Sequence, residues 1–138
     1  MKIRAVQGIA GLYELIDDKD HSVLDVDALK FKLDRGMKRQ LKNILILVCQ
    51  GLAIKGLEAL NEFIQDDLLK KIERNVKAQK YDLWEVRHPA HGGRIFFIMD
   101  NKNNIIVSAV NKQSTKDNLS QEKAINRGIN RWEKFLKN

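Results

Sequence analysis

YDLWEVRHPAHGGRIFFIMDNKNNIIVSAVN, residues 81–111, decides the fold. Before it, apolar residues recur three and four apart; within it, that helical period stops. YDLWEVRH (81–88) sets Leu83 and Trp84 among charged neighbours and offers no helix cap, so it reads as a strand. GRIFFIMD (93–100) is a second strand, and NIIVSAVN (104–111) a third. Between these two lies Asp100-Asn101-Lys102-Asn103-Asn104, rich in residues that tolerate positive φ and therefore a turn. The unbroken Ile, Phe and Val of the second and third strands predict burial on both faces. Pro89, the single proline, falls in a loop, where a missing N–H does no harm.

Working outward, Met37, Leu41, Ile44, Leu45 and Val48 share one face of a helix whose opposite face carries Lys38, Arg39, Lys42 and Asn43. Gly51 sits where a C-terminal cap is expected, and Gly56 closes the connection that follows. A second helical stretch, 57–79, uses Leu57, Leu60, Phe63 and Ile64, then Leu68, Leu69, Ile72 and Val76; Asp66-Asp67 is a place where a separate helix opens. Residues 9–17 suit a strand ending at an aspartate-rich turn. SVLDVDALKFKL (22–33) alternates in part and equally suits a helix capped by Ser22. After the strands, Ser120 as N-cap and Glu122 in the first turn open a last helix with Ile125, Ile129, Trp132 and Leu136 as its apolar stripe. The expectation is one α+β domain over residues 1–138, a helical hairpin packed on a small antiparallel sheet with a C-terminal helix at its side.

Composition bounds the function. A chain of 138 residues with 43% hydrophobic and 31% charged content builds a real core. The longest apolar run, ILILV at 44–48, is far short of the roughly 20 residues of a membrane span, and the N-terminus lacks the apolar region of a signal peptide. Cys49 is the single cysteine and reads as a small core residue; a cytoplasmic protein without membrane partners is expected. The net charge of +7 and pI near 9.6 favour a polyanionic partner, nucleic acid first, against the plain alternative that the charge serves solubility.

His88 and His91 stand three apart with no Cys, Asp or Glu in their loop, so a zinc site is not expected. No P-loop, GxGxxG, GxSxG or HExxH occurs. What remains is cationic. Arg87 ends one strand and Arg94 begins the next, so a hairpin brings their backbones together. Lys112 and Lys116 follow the third strand and were they to join, their loop would have to fold back beside the others. Such a cluster grips a phosphodiester and stabilises the added charge of its transition state, with His88 and His91 near for proton transfer. Each residue alone is also what a solvated turn carries. Arg87 and Arg94 together, flanked by apolar strand residues, point to a site.

DLWEVR, then HGGRIFFIMDNKNNIIVSAVNKQSTKD, then a helix with AINRGINRWEKF, resembles the C-terminal half of the RelE/ParE toxin superfamily, closest to its HigB-like, phage-derived branch. The likeness spans about residues 36–136 and is strongest over 82–117; its motifs are short, and their order and spacing carry it. The resemblance implies a metal-independent endoribonuclease that cuts messenger RNA, commonly on the ribosome, needs no cofactor, and is neutralised by an antitoxin encoded beside it, a small helix-turn-helix protein. It also implies roles. Arg94 matches the family's phosphate and transition-state arginine, Arg87 a basic position on the preceding strand, and Lys112 and Lys116 the basic positions of the loop before the last helix. His88 would then contact substrate. Several members place a Tyr or His near the C-terminus; here that stretch offers Trp132 and Phe135, so His88 or His91, with His91 the catalytic assignment, would have to supply acid–base chemistry. A gyrase-poisoning branch shares the fold, and a nucleic-acid or antitoxin-binding module with a decayed catalytic set is the third reading.

Overall fold

A computed structural model describes residues 1–112 and 119–138, with the side chain of Leu119 not described. In chain order it contains β1 (Lys2–Ala5), β2 (Leu12–Ile16), α1 (Val23–Lys30), α2 (Arg35–Lys55), a 3-10 turn (Gly56–Ala59), α3 (Leu60–Gln65), β3 (Leu69–Lys71), α4 (Val76–Tyr81), β4 (Leu83–Arg87), β5 (Gly93–Asp100), β6 (Asn103–Asn111) and α5 (Leu119–Leu136). The α+β class and the three strands read from residues 81–111 stand. The sheet is larger than expected and mixed: six strands in the order β1-β2-β6-β5-β4-β3, with β2 parallel to β6 and every other pair antiparallel. The meander β4-β5-β6 forms its middle.

Burial on both faces follows from that position. One face packs Trp84, Val86, Ile95 and Phe97 against Leu24 of α1 and Leu41, Leu45 and Val48 of α2. The other packs Leu83, Phe96, Ile98 and Val107 against Ala78 of α4 and Ile125, Ile129 and Trp132 of α5. Side chains alternate between the faces along each strand, so only a strand with apolar residues at nearly every position fills both layers. Cys49 is 3% exposed on α2, and burial pushes its thiol up to about 11, as befits a packing residue.

The helical hairpin expected over 37–79 is not formed. α2 runs through Gly51 to Lys55 and is capped by Gly56 at φ 67°; the expected cap at Gly51 is helix interior. Beyond it the chain breaks up. Asp66 ends α3, Asp67 takes φ 59°, Leu69–Lys71 becomes the edge strand β3, and Asn75 caps α4 by accepting from the Ala78 N–H. The apolar spacing of 57–79 imitates one helix, but Leu60 and Leu69 are buried on one face of the sheet and Ile72 and Ala78 on the other. A single straight helix cannot serve both faces; an edge strand between two short helices can.

In the N-terminal region the helical alternative for 22–33 is the one formed, with Ser22 at the N-cap position although its hydroxyl goes to Glu14. β2 lies inside the stretch read as a strand, and β1 pairs with it at the sheet edge. Ser120 lies inside α5, not at its cap. Helix 35–65 also differs from the count of uninterrupted apolar residues: taken as a helix it has the length and mean hydropathy of a membrane crossing, with Leu41, Leu45 and Val48 fully buried on the sheet.

One polar cluster explains how α1 and α5 hold the sheet. β2 pairs with β6 only through Glu14 and Ile106, leaving the later part of that β6 edge without a strand. Asp27 of α1, 1% exposed, accepts the Ala109 N–H at 2.9 Å. Arg127 of α5 donates to the Ala109 carbonyl at 2.9 Å, and Arg131 to the Val107 carbonyl at 2.9 Å. Both arginines also pair with Asp27 at 3.2 and 2.8 Å. Side chains thus satisfy the backbone groups that a neighbouring strand would have taken. Gly128 lets α5 come this close: a Cβ there would lie 2.7 Å from Val107 Cγ2 and 2.9 Å from Ser108 Oγ.

Candidate functional site

In a meander the end of the first strand, the start of the second and the end of the third lie at the same edge of the sheet. Arg87 therefore pairs with Arg94, Arg94 with Val110, and Gly93 with Asn111. The Lys112 N–H donates to the Gly92 carbonyl at 2.8 Å, directly beside the β4–β5 turn. The fold-back expected to be necessary for Lys112 is not needed, because strand parity alone delivers it. Arg87, His88, His91, Arg94 and Lys112 line one open cleft of about 430 Å³, together with Asp67 from the turn before β3. Lys116 lies outside the described residues.

The residue that organises the arginines escaped the sequence reading. Glu85, fully buried at 0% exposure, lies two residues before Arg87 on the same face of β4. Its Oε2 accepts from Arg87 Nη2 at 2.5 Å and Nε at 3.1 Å, and its Oε1 lies 3.7 Å from Arg94 Nε. Gln121 of α5 donates to the same Oε1. Arg87 reaches further with Nη1, which donates to Asp67 at 3.3 Å. Arg94 Nη1 donates to the Gly93 carbonyl at 2.8 Å, while its buried Nε has no hydrogen-bond partner. The signal was present in LWEVR: a carboxylate between two apolar residues of an inner strand, one pleat repeat from an arginine, needs a buried cation.

The two arginines differ electrostatically. For each, desolvation is the largest influence and opposes the charge. At Arg87 the carboxylates of Glu85 and Asp67 outweigh it and raise the pKa, whereas at Arg94 burial prevails and lowers it from the ordinary arginine value. Arg94 stays a cation, as arginine does in proteins, and is the less fully compensated of the pair.

The histidines shape the turn. His88 Nδ1 accepts the Ala90 N–H at 3.1 Å, and His91 Nδ1 accepts the Gly93 N–H at 3.0 Å. With its Nδ1 accepting, neutral His91 carries its proton on Nε2, which points at Gln40 Oε1 of α2 at 3.1 Å. The two rings stack at 4.9 Å and 8°. Burial, then the neighbouring His88 and Arg94, lower the His91 pKa from the ordinary histidine value. Glycine is required at position 93, where a Cβ would lie 2.7 Å from Leu33 Cδ1 and 2.9 Å from His91 Nδ1.

Known families, characterised proteins and solved structures give no match to this chain. The chemistry of the cleft is therefore read from its own groups. Among the described residues no cluster of three or more His, Cys, Asp or Glu has the arrangement to hold a metal ion. Fixed guanidinium groups at a sheet end, with imidazoles stacked beside them, suit an anion that is held in one orientation. Both His91 nitrogens are engaged within the protein, whereas His88 Nε2 makes no hydrogen bond among the described residues and borders the cleft. Of the two imidazoles, His88 is the better placed to exchange a proton with a ligand.

Proposed function

We propose that the chain is a toxin of the RelE/ParE kind, a metal-independent endoribonuclease acting on messenger RNA in translating ribosomes, with its active site in the cleft at the β4–β5 turn. The observation that carries this reading is the convergence of Arg87, Arg94, His88 and Lys112 on one open cleft. The net charge of +7 supports a polyanionic substrate. On this reading the chain works in the cytoplasm, takes no cofactor, and is held inactive by a cognate antitoxin, a small helix-turn-helix protein.

The chemistry needs no metal. The RNA 2′-oxygen forms a bond to the adjacent phosphorus as the bond to the 5′-oxygen breaks, leaving a 2′,3′-cyclic phosphate and a 5′-hydroxyl. One proton leaves the 2′-hydroxyl and one reaches the 5′-oxygen. Arg94, with its partly uncompensated guanidinium, faces the charge that builds on the phosphoryl oxygens. Arg87 is held by Glu85 beside it, and His88 is the proton-transfer candidate in place of His91.

A second reading, an RNA-binding module without cleavage, is favoured by one specific observation: His91 spends its Nδ1 lone pair on the Gly93 N–H and its Nε2 proton on Gln40. Purified protein added to ribosome-bound message, with and without chelator, separates the two. Fragments with cyclic phosphate ends in both conditions support the nuclease; binding without fragments supports the module. Expression of the chain alone should arrest growth through translation, and a DNA-break response in its place would point to the gyrase-binding branch.

A further inference from the structure

The cleft's two carboxylates hold the same arginine under opposite conditions. Glu85 is fully buried, packed beneath the sheet end and held also by Gln121. The Asp67 side chain is 81% exposed, lines the cleft, and touches only the outer nitrogen of Arg87, at 3.3 Å. A buried carboxylate with three donors cannot leave without stranding a charge. An exposed one exchanges with water or another anion at little cost.

Resting on the reading of the cleft as a phosphate site, we infer that Asp67 is an internal competitor for the substrate: its carboxylate occupies the outer edge of Arg87, and an entering phosphate replaces it. The backbone fixes the competitor in place. Asp67 sits at φ 59°, its N–H donates to the Ile64 carbonyl at 3.1 Å, and the next residue, Leu68, accepts the Arg87 N–H at 3.0 Å. The turn that ends α3 is thereby tied to the end of β4, and its aspartate is delivered beside the guanidinium. Glu85 orients Arg87 permanently; Asp67 screens it until a stronger or better placed anion arrives. Affinity in the cleft is accordingly set below what the arginines alone would give.

Asp67→Asn is a clean test, because asparagine tolerates the left-handed backbone that the position requires. Asp66→Asn is its control: the same charge is removed one residue away, from an exposed side chain that caps α3 and does not line the cleft. Binding of a short single-stranded RNA with 2′-O-methyl sugars, which cannot be cleaved, is measured by fluorescence anisotropy on the full chain. Asp67→Asn should bind about two- to fivefold tighter than wild type, the range expected on losing an exposed competing ion pair, and Asp66→Asn should stay near wild type. If the two variants bind alike, Asp67 is not a competitor, and the phosphate reading survives provided that Arg94→Ala still loses binding. If wild type and both variants fail to bind, the phosphate reading falls and this inference with it.

Discussion

Two clusters in this molecule share one formula, a buried carboxylate gripping two arginines, and differ in what else the arginines do. In the middle of β6, Asp27 holds Arg127 and Arg131, and all three also bond the backbone of Val107 or Ala109. At the sheet end, Glu85 holds Arg87 and lies near Arg94, but Arg94 Nε is left without a hydrogen bond and the cluster borders a cleft. The first cluster closes on the protein and stands in for a missing strand. The second is incomplete within the protein. Buried charge alone does not mark a site; unspent donor capacity facing a cavity does.

The largest expected effect breaks the first cluster. Asp27→Ala leaves two buried guanidinium groups without their carboxylate and the Ala109 N–H without an acceptor, which should cost about 3–5 kcal/mol of stability by urea denaturation. RNA binding should be lost only to the extent that the fold is lost. At the second cluster the effect moves from stability to chemistry. Arg94→Ala leaves Glu85 still held by Arg87 and Gln121, so the fold should persist by circular dichroism. Cleavage of ribosome-bound message should fall about a hundred- to a thousand-fold, equivalent to roughly 3–4 kcal/mol of transition-state stabilisation. Arg87→Ala should lower both, since Arg87 is the principal partner of Glu85. A folded and fully active Arg94→Ala protein would erase the distinction between the clusters.

The contrast also shows what the sequence could tell. The strands of residues 81–111 were legible because their apolar run has the wrong period for a helix and turn residues punctuate it. The meeting of Arg87 with Arg94 followed from a short hairpin. The break-up of 57–79 was not legible, since Leu60, Leu69, Ile72 and Ala78 keep a helical spacing while serving two faces of the sheet. Nor was β3, three residues long and defined only by its pairing with β4. Glu85 was hidden by the habit of reading a strand glutamate as solvated. Arg127 and Arg131 looked like an ordinary polar helix face; their bonds reach a β6 edge whose vacancy depends on where β2 stops.

A smaller effect sharpens the structural side of the comparison. Gly128→Ala would place a methyl group 2.7 Å from Val107 Cγ2, on the helix that carries Arg127 and Arg131. α5 must then back away from β6 by a few tenths of an ångström, stretching the bonds to Val107 and Ala109. A loss of about 1–3 kcal/mol is expected from such overpacking, measured again by denaturation, with RNA affinity in the folded protein unchanged. A fall in affinity equal to that of Arg94→Ala would mean that α5 transmits its position to the cleft through Gln121.

The smallest expected effect concerns His91 and separates a turn brace from a proton carrier. Its pKa is lowered in the folded chain, chiefly by burial and then by His88 and Arg94, so the folded state disfavours the protonated ring relative to the unfolded state. The sign follows from linkage: the stability associated with neutral His91 is fully present above the unfolded value of about 6.5 and is lost as pH falls through the lowered folded value. Protonation also removes the lone pair that accepts the Gly93 N–H, so the turn loosens in that same interval. NMR titration should place the His91 ring below the ordinary histidine value, with the Gly93 amide resonance moving in step. His91→Ala should flatten this part of the stability profile while leaving the pH dependence of cleavage in place, because His88 supplies the proton in the arrangement argued above. If the cleavage profile changes instead, and stability does not, His91 carries the proton and must leave both of its bonds to do so.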